Sequence, residues 1–281
     1  MVQQIGRSVD GRWLAGAAAL VVFAITLLTG VQHDHREYLV NWTAVLAGGD
    51  PWAVGNAYGP LHTVFAAPFA IARILPKLTF SALALACGAL LLRASRAGHA
   101  YRTWGIVLAL FLFNPVVLFS TYVYGQNDIV AAFLVLLAVL ARDADRPSVA
   151  GLLIGLAALE KFYPIAIAGF LMLEGKRVLR LRIPLVASAT FAAGMGLATV
   201  VWGAAPLTPL RFAVGRDPKM LSVHRFLTCH PDLVGGDQTV QMLLDGNSLI
   251  VVVVGALSLG GLLWLGATWR SGALIGCLVI F

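Results

Sequence analysis

Charged side chains are scarce in this sequence. They make up only 12% of its 281 residues, whereas 59% of the residues are apolar. A soluble domain carries charge at roughly a quarter of its positions, so a soluble enzyme is excluded. Intrinsic disorder is excluded as well, because the chain has abundant apolar surface to bury. The composition therefore predicts an all-α, polytopic bundle of transmembrane helices.

Cysteine is also rare, and Cys87, Cys229 and Cys277 lie far apart in the sequence. Their odd number and wide spacing predict neither a disulfide framework nor a CxxC metal site. His33 and His35 flank an aspartate, but residues two positions apart do not share a face of a helix. We therefore predict neither a metal site nor a cofactor.

Long runs without charge predict the membrane spans, since a helix needs about 20 mostly apolar residues to cross the hydrocarbon core. These runs are Trp13–Val31, Leu78–Leu92, Thr103–Asn127, Ile129–Ala141, Pro147–Leu159, Phe162–Leu173, Ile183–Leu210 and Gly246–Trp269. A last run, Ser271–Phe281, is too short to cross. We expect residues 1–281 to be a single transmembrane domain that looks truncated at its C-terminus.

Lysine and arginine between the runs predict the orientation of the spans. The N-terminus, with Arg7 and Arg12, is predicted to lie in the cytoplasm together with the later short basic loops. The net charge of +7 is then a signal of topology, and no nucleic-acid partner is needed to explain it. Two long segments, 32–77 and 210–245, are predicted to lie on the outer face, and long loops in compact folds tend to be functional.

Two apolar stretches are predicted not to cross the membrane as straight spans. Leu61–Pro76 contains prolines and an arginine, and we predict an interfacial or re-entrant helix there. A single span over Gly151–Leu173 would bury Glu160 and Lys161 and place the flanking basic loops on opposite sides. We therefore predict two short helices that form a hairpin, with Glu160 and Lys161 near its tip on the outer face.

Acidic residues follow the first span directly. Asp34 and, one turn later, Glu37 are either parts of a solvated helix end or carboxylates placed at the membrane surface. A carboxylate in that position is able to accept a proton from an acceptor hydroxyl. Asp34 is the first candidate for a catalytic base, and Glu37 is the fallback.

Polar residues that break apolar runs are candidates for a substrate cavity. Tyr58 lies in a turn before the interrupted stretch, and Tyr124, Gln126, Asn127 and Asp128 lie at the mouth of two apolar runs. A polar string is unfavourable in lipid unless it lines a cavity. The alternative is a polar cap of the next helix, in which the aspartate complements the helix dipole.

Cations on the predicted outer face oppose the positive-inside trend. Lys161, Arg211, His224 and Arg225 are therefore candidates for binding a phosphate group, because arginine matches phosphate oxygens bidentately. The alternatives are an ion pair between Lys161 and its neighbouring glutamate and a solvated loop that carries the other three.

Four stretches, in this order, resemble the GT-C superfamily of integral-membrane glycosyltransferases. The resemblance is greatest to the bacterial polyprenyl-phosphomannose-dependent mannosyltransferases that extend phosphatidylinositol mannosides. The stretches are Asp34 with Tyr38 and Leu46–Trp52; Tyr58–Leu61 running to Pro68; Asn114-Pro115 through Gly125–Asp128; and Ala150–Ala157 leading to Lys161 and Pro164. Gly59 stands where that family often has a second proline.

The resemblance implies a GT-C-like fold with interfacial helices in the first outer loop and Asp34 as the essential acid. It implies transfer of mannose, with inversion, from a polyprenyl-phosphate sugar to a lipid-linked or cell-envelope glycan acceptor. It also implies a multi-pass protein of a bacterial plasma membrane with its site on the outer face. Two other functions remain open: a lipid or solute transporter, and a non-catalytic membrane partner of an envelope enzyme.

Overall fold

The computed structural model describes residues 11–94, 108–209 and 223–280. This part of the chain is nearly all helical, which confirms the predicted all-α fold. The α-helices are α1 (Gly11–Thr29), α2 (His33–Leu46), α3 (Ala66–Ile71), α4 (Leu75–Ala94), α5 (Pro115–Val117), α6 (Asp128–Asp143), α7 (Pro147–Glu160), α8 (Ile167–Leu171), α9 (Arg182–Trp202), α10 (Val223–Cys229), α11 (Asp237–Asp245), α12 (Asn247–Trp264) and α13 (Trp269–Ile280). A two-stranded antiparallel hairpin pairs β1 (Leu173–Gly175) with β2 (Val178–Leu179).

Shorter helical turns connect these elements. The 3₁₀ turns are Pro60–Phe65, Tyr163–Ala166, Ala205–Leu207 and Pro231–Val234, and the π-helical segments are Leu108–Leu112 and Leu118–Val123. The chain divides into two compact units. The first unit comprises Met1–Val54 and His62–Leu136, and the second comprises Gly55–Leu61 and Leu137–Phe281.

Helices long and apolar enough to cross a membrane are present in both units. Leu75–Arg93 and Arg182–Trp202 pass this test alone. Two bent pairs pass it jointly: Ala15–Thr29 with Asp34–Leu46, bent by 76°, and Pro115–Val123 with Asp128–Asp143, bent by 119°. By length and composition, the described residues therefore supply two spans, or up to four if each bent pair is one span. This finding confirms a helical membrane protein.

Breaks between the helices of the first unit follow local backbone chemistry. Gly30, with a φ of +58°, ends α1 in the left-handed region that glycine adopts without strain. Asn114 accepts a hydrogen bond from the amide of Val116 at 2.8 Å and starts a new helix at Pro115. Residues 61–76 form no straight span, because the chain is extended at Ala72 between α3 and α4. Their placement at the membrane interface stays a prediction.

Close packing of α7 on α9 organises the second unit. A Cβ atom added to Gly151 would lie 2.6 Å from the carbonyl oxygen of Ile183, and one added to Gly155 would lie 2.5 Å from Cβ of Thr190. Two glycines four positions apart therefore let the helix backbones approach closely, as small residues do in membrane helices.

The chain reverses after α7, as the sequence predicts. Lys161 is extended, with φ −140° and ψ 134°, and the short helices after it lead back to the start of α7. The carbonyl of Leu171 there accepts a hydrogen bond from Nε of Arg142 at 3.1 Å. The predicted hairpin is therefore confirmed, and the basic loops on either side of it lie at one end of the second unit.

Candidate functional site

Asp34 lies in the first turn of α2, immediately after the bend that separates α1 from α2. Three residues with no helical geometry, of which Gly30 is the first, redirect the chain. A carboxylate in the first turn of a helix lies near the positive end of the helix dipole. The side chain of Asp34 is partly exposed, so a substrate hydroxyl is able to approach it.

Gln126 holds the carboxylate of Asp34. Its Nε2 atom donates a hydrogen bond to Oδ2 of Asp34, although the two residues are 92 positions apart. Gln126 follows Gly125, whose φ of +68° makes the turn between the π-helical segment and α6. The segment that follows α1 and the polar string before α6 therefore meet in the first unit, at the residue predicted as the base.

A buried polar network lies beside this pair. The hydroxyl of Tyr38 donates to Oδ1 of Asn127 at 3.1 Å, and Nδ2 of Asn127 lies 3.0 Å from Nδ1 of His62. Nε1 of Trp42 donates to the carbonyl of His62 at 2.9 Å. All four side chains are buried, and buried polar groups that satisfy one another rigidify a core. The network therefore anchors the turn that carries Gln126.

The residues of the polar string have different surroundings. Gln126 reaches Asp34, whereas Asn127 is fully buried and is bonded inside the unit. Tyr124 is 42% exposed and packs near Phe119, with ring centroids 6.3 Å apart. Asp128 lies in the first turn of α6, as expected if it is part of a polar cap of that helix. The predicted role of these residues in a substrate cavity stays a prediction.

Tyr58 and Lys161 meet in the second unit. Nζ of Lys161 lies 5.1 Å from the centroid of the Tyr58 ring, within the range of a cation–π contact. The amide of Gly59 donates to the carbonyl of Glu160 at 3.0 Å, which fixes the loop against the end of α7. A Cβ atom at Gly59 would lie only 2.0 Å from the carbonyl oxygen of Leu159. The second proline of the resembling family would therefore not fit here.

The remaining predicted site residues fall in different places. Glu37 is exposed on α2, one turn after Asp34. Arg211 lies outside the described residues, and so do the side chains of His224 and Arg225 at the start of α10. The phosphate-binding role predicted for these three cations is therefore still a prediction.

Three arginines of the second unit are occupied by carboxylates. Arg142 is buried and donates to Glu174 at 2.6 Å, and Arg180 pairs with both Glu174 and Asp145. Nη2 of Arg270 lies 2.7 Å from Asp143. The hydrogen bond from Arg180 holds the pKa of the Asp145 carboxyl below its usual range. These cations are therefore bound within the fold.

Two buried polar residues of the first unit were not predicted, His62 and Lys77. A single histidine after a proline, and a single lysine at the edge of an apolar run, have no spacing that marks them as functional. Within the part of the chain that the structure describes, no group of three His, Cys, Asp or Glu residues is placed to hold a metal ion.

The fold defines an integral-membrane helical protein, and the site adds an acid positioned by an amide at the bend between two helices. The profile of glycosyltransferase family 87 matches residues 56–212, more than half of the chain. The protein therefore belongs to glycosyltransferase family 87. No curated protein and no solved structure matches it. The matched range includes Tyr58, Gln126 and Lys161, whereas Asp34 and Glu37 precede it.

Proposed function

We propose that this protein transfers a sugar from a polyprenyl-phosphate donor to a lipid-linked or cell-envelope glycan acceptor. The observation that carries the proposal is the hydrogen bond from Gln126 to Asp34 in a membrane protein of a glycosyltransferase family. Mannose as the sugar rests on the resemblance to polyprenyl-phosphomannose-dependent enzymes. A transporter does not follow from membership of a glycosyltransferase family.

Asp34 is the general base of the proposed reaction. The acceptor hydroxyl oxygen attacks the anomeric carbon of the donor, and its proton passes to the carboxylate of Asp34. The bond from the anomeric carbon to the phosphate oxygen breaks, and polyprenyl phosphate leaves with the electron pair. One direct displacement inverts the anomeric centre. Gln126 fixes the direction of the carboxylate, and the geometry of a base sets its efficiency.

Lys161 is the described cation that we assign to the leaving phosphate. It lies where the extended backbone interrupts the hairpin, and its ammonium group contacts the ring of Tyr58. A cation aimed at the oxygen that gains charge lowers the transition-state barrier. Arg211, His224 and Arg225 are proposed as further phosphate ligands, because cationic side chains bind phosphate oxygens through charge-assisted hydrogen bonds.

The orientation in the membrane is part of the proposal. The basic loops place the N-terminus in the cytoplasm and the first turn of α2 on the outer face of a bacterial plasma membrane. A polyprenyl donor keeps its tail in lipid and its sugar phosphate at the surface. Asp34 lies in the first turn of α2, directly after the first apolar helix, and this order along the chain supports a site near the membrane surface.

The experiment that tests the function uses membranes containing the full protein and a radiolabelled polyprenyl-phosphomannose. We expect a labelled lipid product, and a loss of about 10²–10⁴ in kcat for Asp34→Asn, the range typical of a positioned base. Asp50→Asn is the matched control, because Asp50 accepts from the amide of Trp52 at 2.8 Å and asparagine keeps that acceptor.

Three outcomes decide the proposal. Full activity in Asp34→Asn removes this residue from the mechanism, and a loss in Glu37→Gln instead assigns the base to the next turn. Absence of any product from the folded wild-type protein, with polyprenyl phosphate still bound, supports the non-catalytic alternative. Equal losses in Asp34→Asn and Asp50→Asn indicate a general effect on folding.

A further inference from the structure

We infer that Lys77 is a positioning residue for the Asp34–Gln126 pair. The inference rests on the proposed function, since it assigns a role in the same site. Lys77 lies in the first turn of α4 and is fully buried. Lysine is almost never fully buried unless its charge is satisfied. Its location therefore requires a local reason, which its contacts provide.

The ammonium group of Lys77 binds the end of α1. Nζ donates to the carbonyl of Gly30 at 2.6 Å, to Oγ1 of Thr29 at 2.8 Å and to the carbonyl of Thr26 at 3.4 Å. The last carbonyls of a helix have no partner within that helix, and a cation there also complements the helix dipole. Lys77 therefore holds the bend through which the chain enters α2, four residues before Asp34.

The aliphatic part of Lys77 packs under the opposite segment. A Cβ atom added to Gly125 would lie 3.0 Å from Cγ of Lys77 and 3.2 Å from Cβ of His35. Gly125 immediately precedes Gln126. Thr29, which accepts a bond from Lys77, also donates to the carbonyl of Tyr122 at 3.1 Å. The turn that carries the amide thus rests on the same side chain.

One buried side chain therefore contacts both segments that meet in the hydrogen bond from Gln126 to Asp34. Loss of its charge leaves the carbonyl of Gly30 and its neighbours without a donor in the interior, so the bend has to rearrange. A change of about 1 Å in the position of a catalytic group is enough to slow a reaction strongly. The role of Lys77 is to keep the two segments in register.

The first test measures transfer by Lys77→Met, which keeps the length of the side chain and removes its charge. We expect kcat to fall about tenfold with the KM for the donor unchanged. Ser81→Ala is the matched control, because Oγ of Ser81 lies 2.7 Å from Oγ1 of Thr26 and also joins α4 to α1. It removes a buried bond between the same helices without touching either turn, so its kcat is expected to stay at the wild-type value.

A double-mutant cycle shows whether Lys77 acts through the pair. The Lys77→Met change is expected to slow a Gln126→Ala protein by less than twofold, whereas it slows the wild type about tenfold. Multiplied losses would overturn the inference, because they would show that the two residues act independently. Equal kcat losses in Lys77→Met and Ser81→Ala would overturn it as well, since they would indicate loss of α1–α4 packing alone.

A second readout does not depend on sugar transfer. A carbodiimide with glycine ethyl ester labels exposed carboxyl groups, and peptide mass spectrometry gives the labelling rate of Asp34 relative to the exposed Glu37. We expect Lys77→Met to raise this ratio several-fold and Ser81→Ala to leave it unchanged. An unchanged ratio in Lys77→Met overturns the inference whatever the activity. The wild-type protein could transfer no sugar while Lys77→Met still raises the labelling ratio of Asp34 to Glu37. That result would contradict the proposed function and leave the positioning role of Lys77 intact.

Discussion

Asp34 in the first unit and Glu174 in the second are carboxylates held in opposite ways. Asp34 is bonded by a neutral amide and is partly exposed. Glu174 is bonded by the guanidinium groups of Arg142 and Arg180. Hydrogen bonds from arginine to a carboxylate are charge-assisted, whereas the hydrogen bond from an amide to a carboxylate has a neutral donor. The bond from Gln126 to Asp34 and the bonds from the arginines to Glu174 are therefore contacts of different chemistry, which substitutions can test separately.

The cations divide in the same way. Arg142 and Arg180 are satisfied by carboxylates of their own unit, whereas Lys161 contacts the face of Tyr58. The ammonium group of Lys161 is also able to donate a charge-assisted hydrogen bond to a phosphate oxygen.

The largest effect is expected where the amide partner of Asp34 is turned into an acid. Gln126→Glu replaces the donating amide with a second carboxylate beside that of Asp34, and like charges repel. We expect kcat for transfer to fall about 100-fold, and about 10-fold for Gln126→Ala, which only removes the orienting bond. Steady-state transfer in membranes, with separate values for kcat and KM, measures both changes.

An identical pair outside the site provides the control. Nε2 of Gln241 donates to Oδ1 of Asp245 at 2.9 Å on the exposed surface of α11. Gln241→Glu makes the same chemical change there and is expected to leave kcat at the wild-type value. A full rate in Gln126→Glu would contradict the contrast between the two carboxylates, because Asp34 would then not depend on its amide.

The next largest effect is expected on the stability of the fold, through the hydrogen bonds around Glu174. Arg142→Met removes the bonds to Glu174 and to the carbonyl of Leu171, which leaves Glu174 with Arg180 and removes this donor from a buried carbonyl. Hydrogen bonds to charged groups contribute about 1.5–3 kcal/mol to stability. We expect the free energy of unfolding to fall by an amount of that size, with an unchanged kcat. Thermal unfolding of the detergent-solubilised protein measures the loss.

Arg270→Met is the comparison for that change. Arg270 and Asp143 are both largely exposed, at 73% and 52%. An exposed ion pair contributes about 0–1 kcal/mol, so the unfolding temperature is expected to change little. Equal losses in the two variants would show that burial does not distinguish these pairs, and a large loss of kcat in Arg142→Met would connect this cluster to the reaction.

Much of the fold could be predicted from the sequence because its signals are local. Runs of apolar residues predict the helices. The requirement that the basic loops before and after residues 151–173 lie on the same side predicts a reversal at Lys161, and the hydrogen bond from Arg142 to the carbonyl of Leu171 confirms that the chain reverses. The Asn114-Pro115 pair likewise predicts the new helix start that the structure contains. These features depend on a few neighbouring residues, so a single sequence is enough to find them.

The geometry of the site depends on long-range contacts that no local pattern records. Asp34 and Gln126 were predicted separately, but their hydrogen bond joins residues 92 positions apart. From the sequence, Gly59 is noticeable only because it replaces a proline of the resembling family. The structure shows that the carbonyl of Leu159 leaves no room for a Cβ atom at this position. Lys77 looks like a charge at the edge of a span, although its bonds reach back to the end of α1.

The smallest effect is a dependence of stability on pH. Asp145 accepts from Arg180, and that bond keeps the pKa of its carboxyl below the usual value of about 3.9. A carboxyl whose pKa is lower in the folded state stabilises the fold above its unfolded pKa and ceases to do so as the pH falls through its folded pKa.

We therefore expect wild type to unfold at a slightly higher temperature than Asp145→Asn at pH 6, with the difference vanishing on acidification below about pH 4. Unfolding of both proteins across this range is the measurement, and subtraction of the variant cancels the titration of the other acids. A difference that stays constant down to pH 3 would show that Arg180 is held by Glu174 alone, and the arginine cluster would then depend on a single carboxylate.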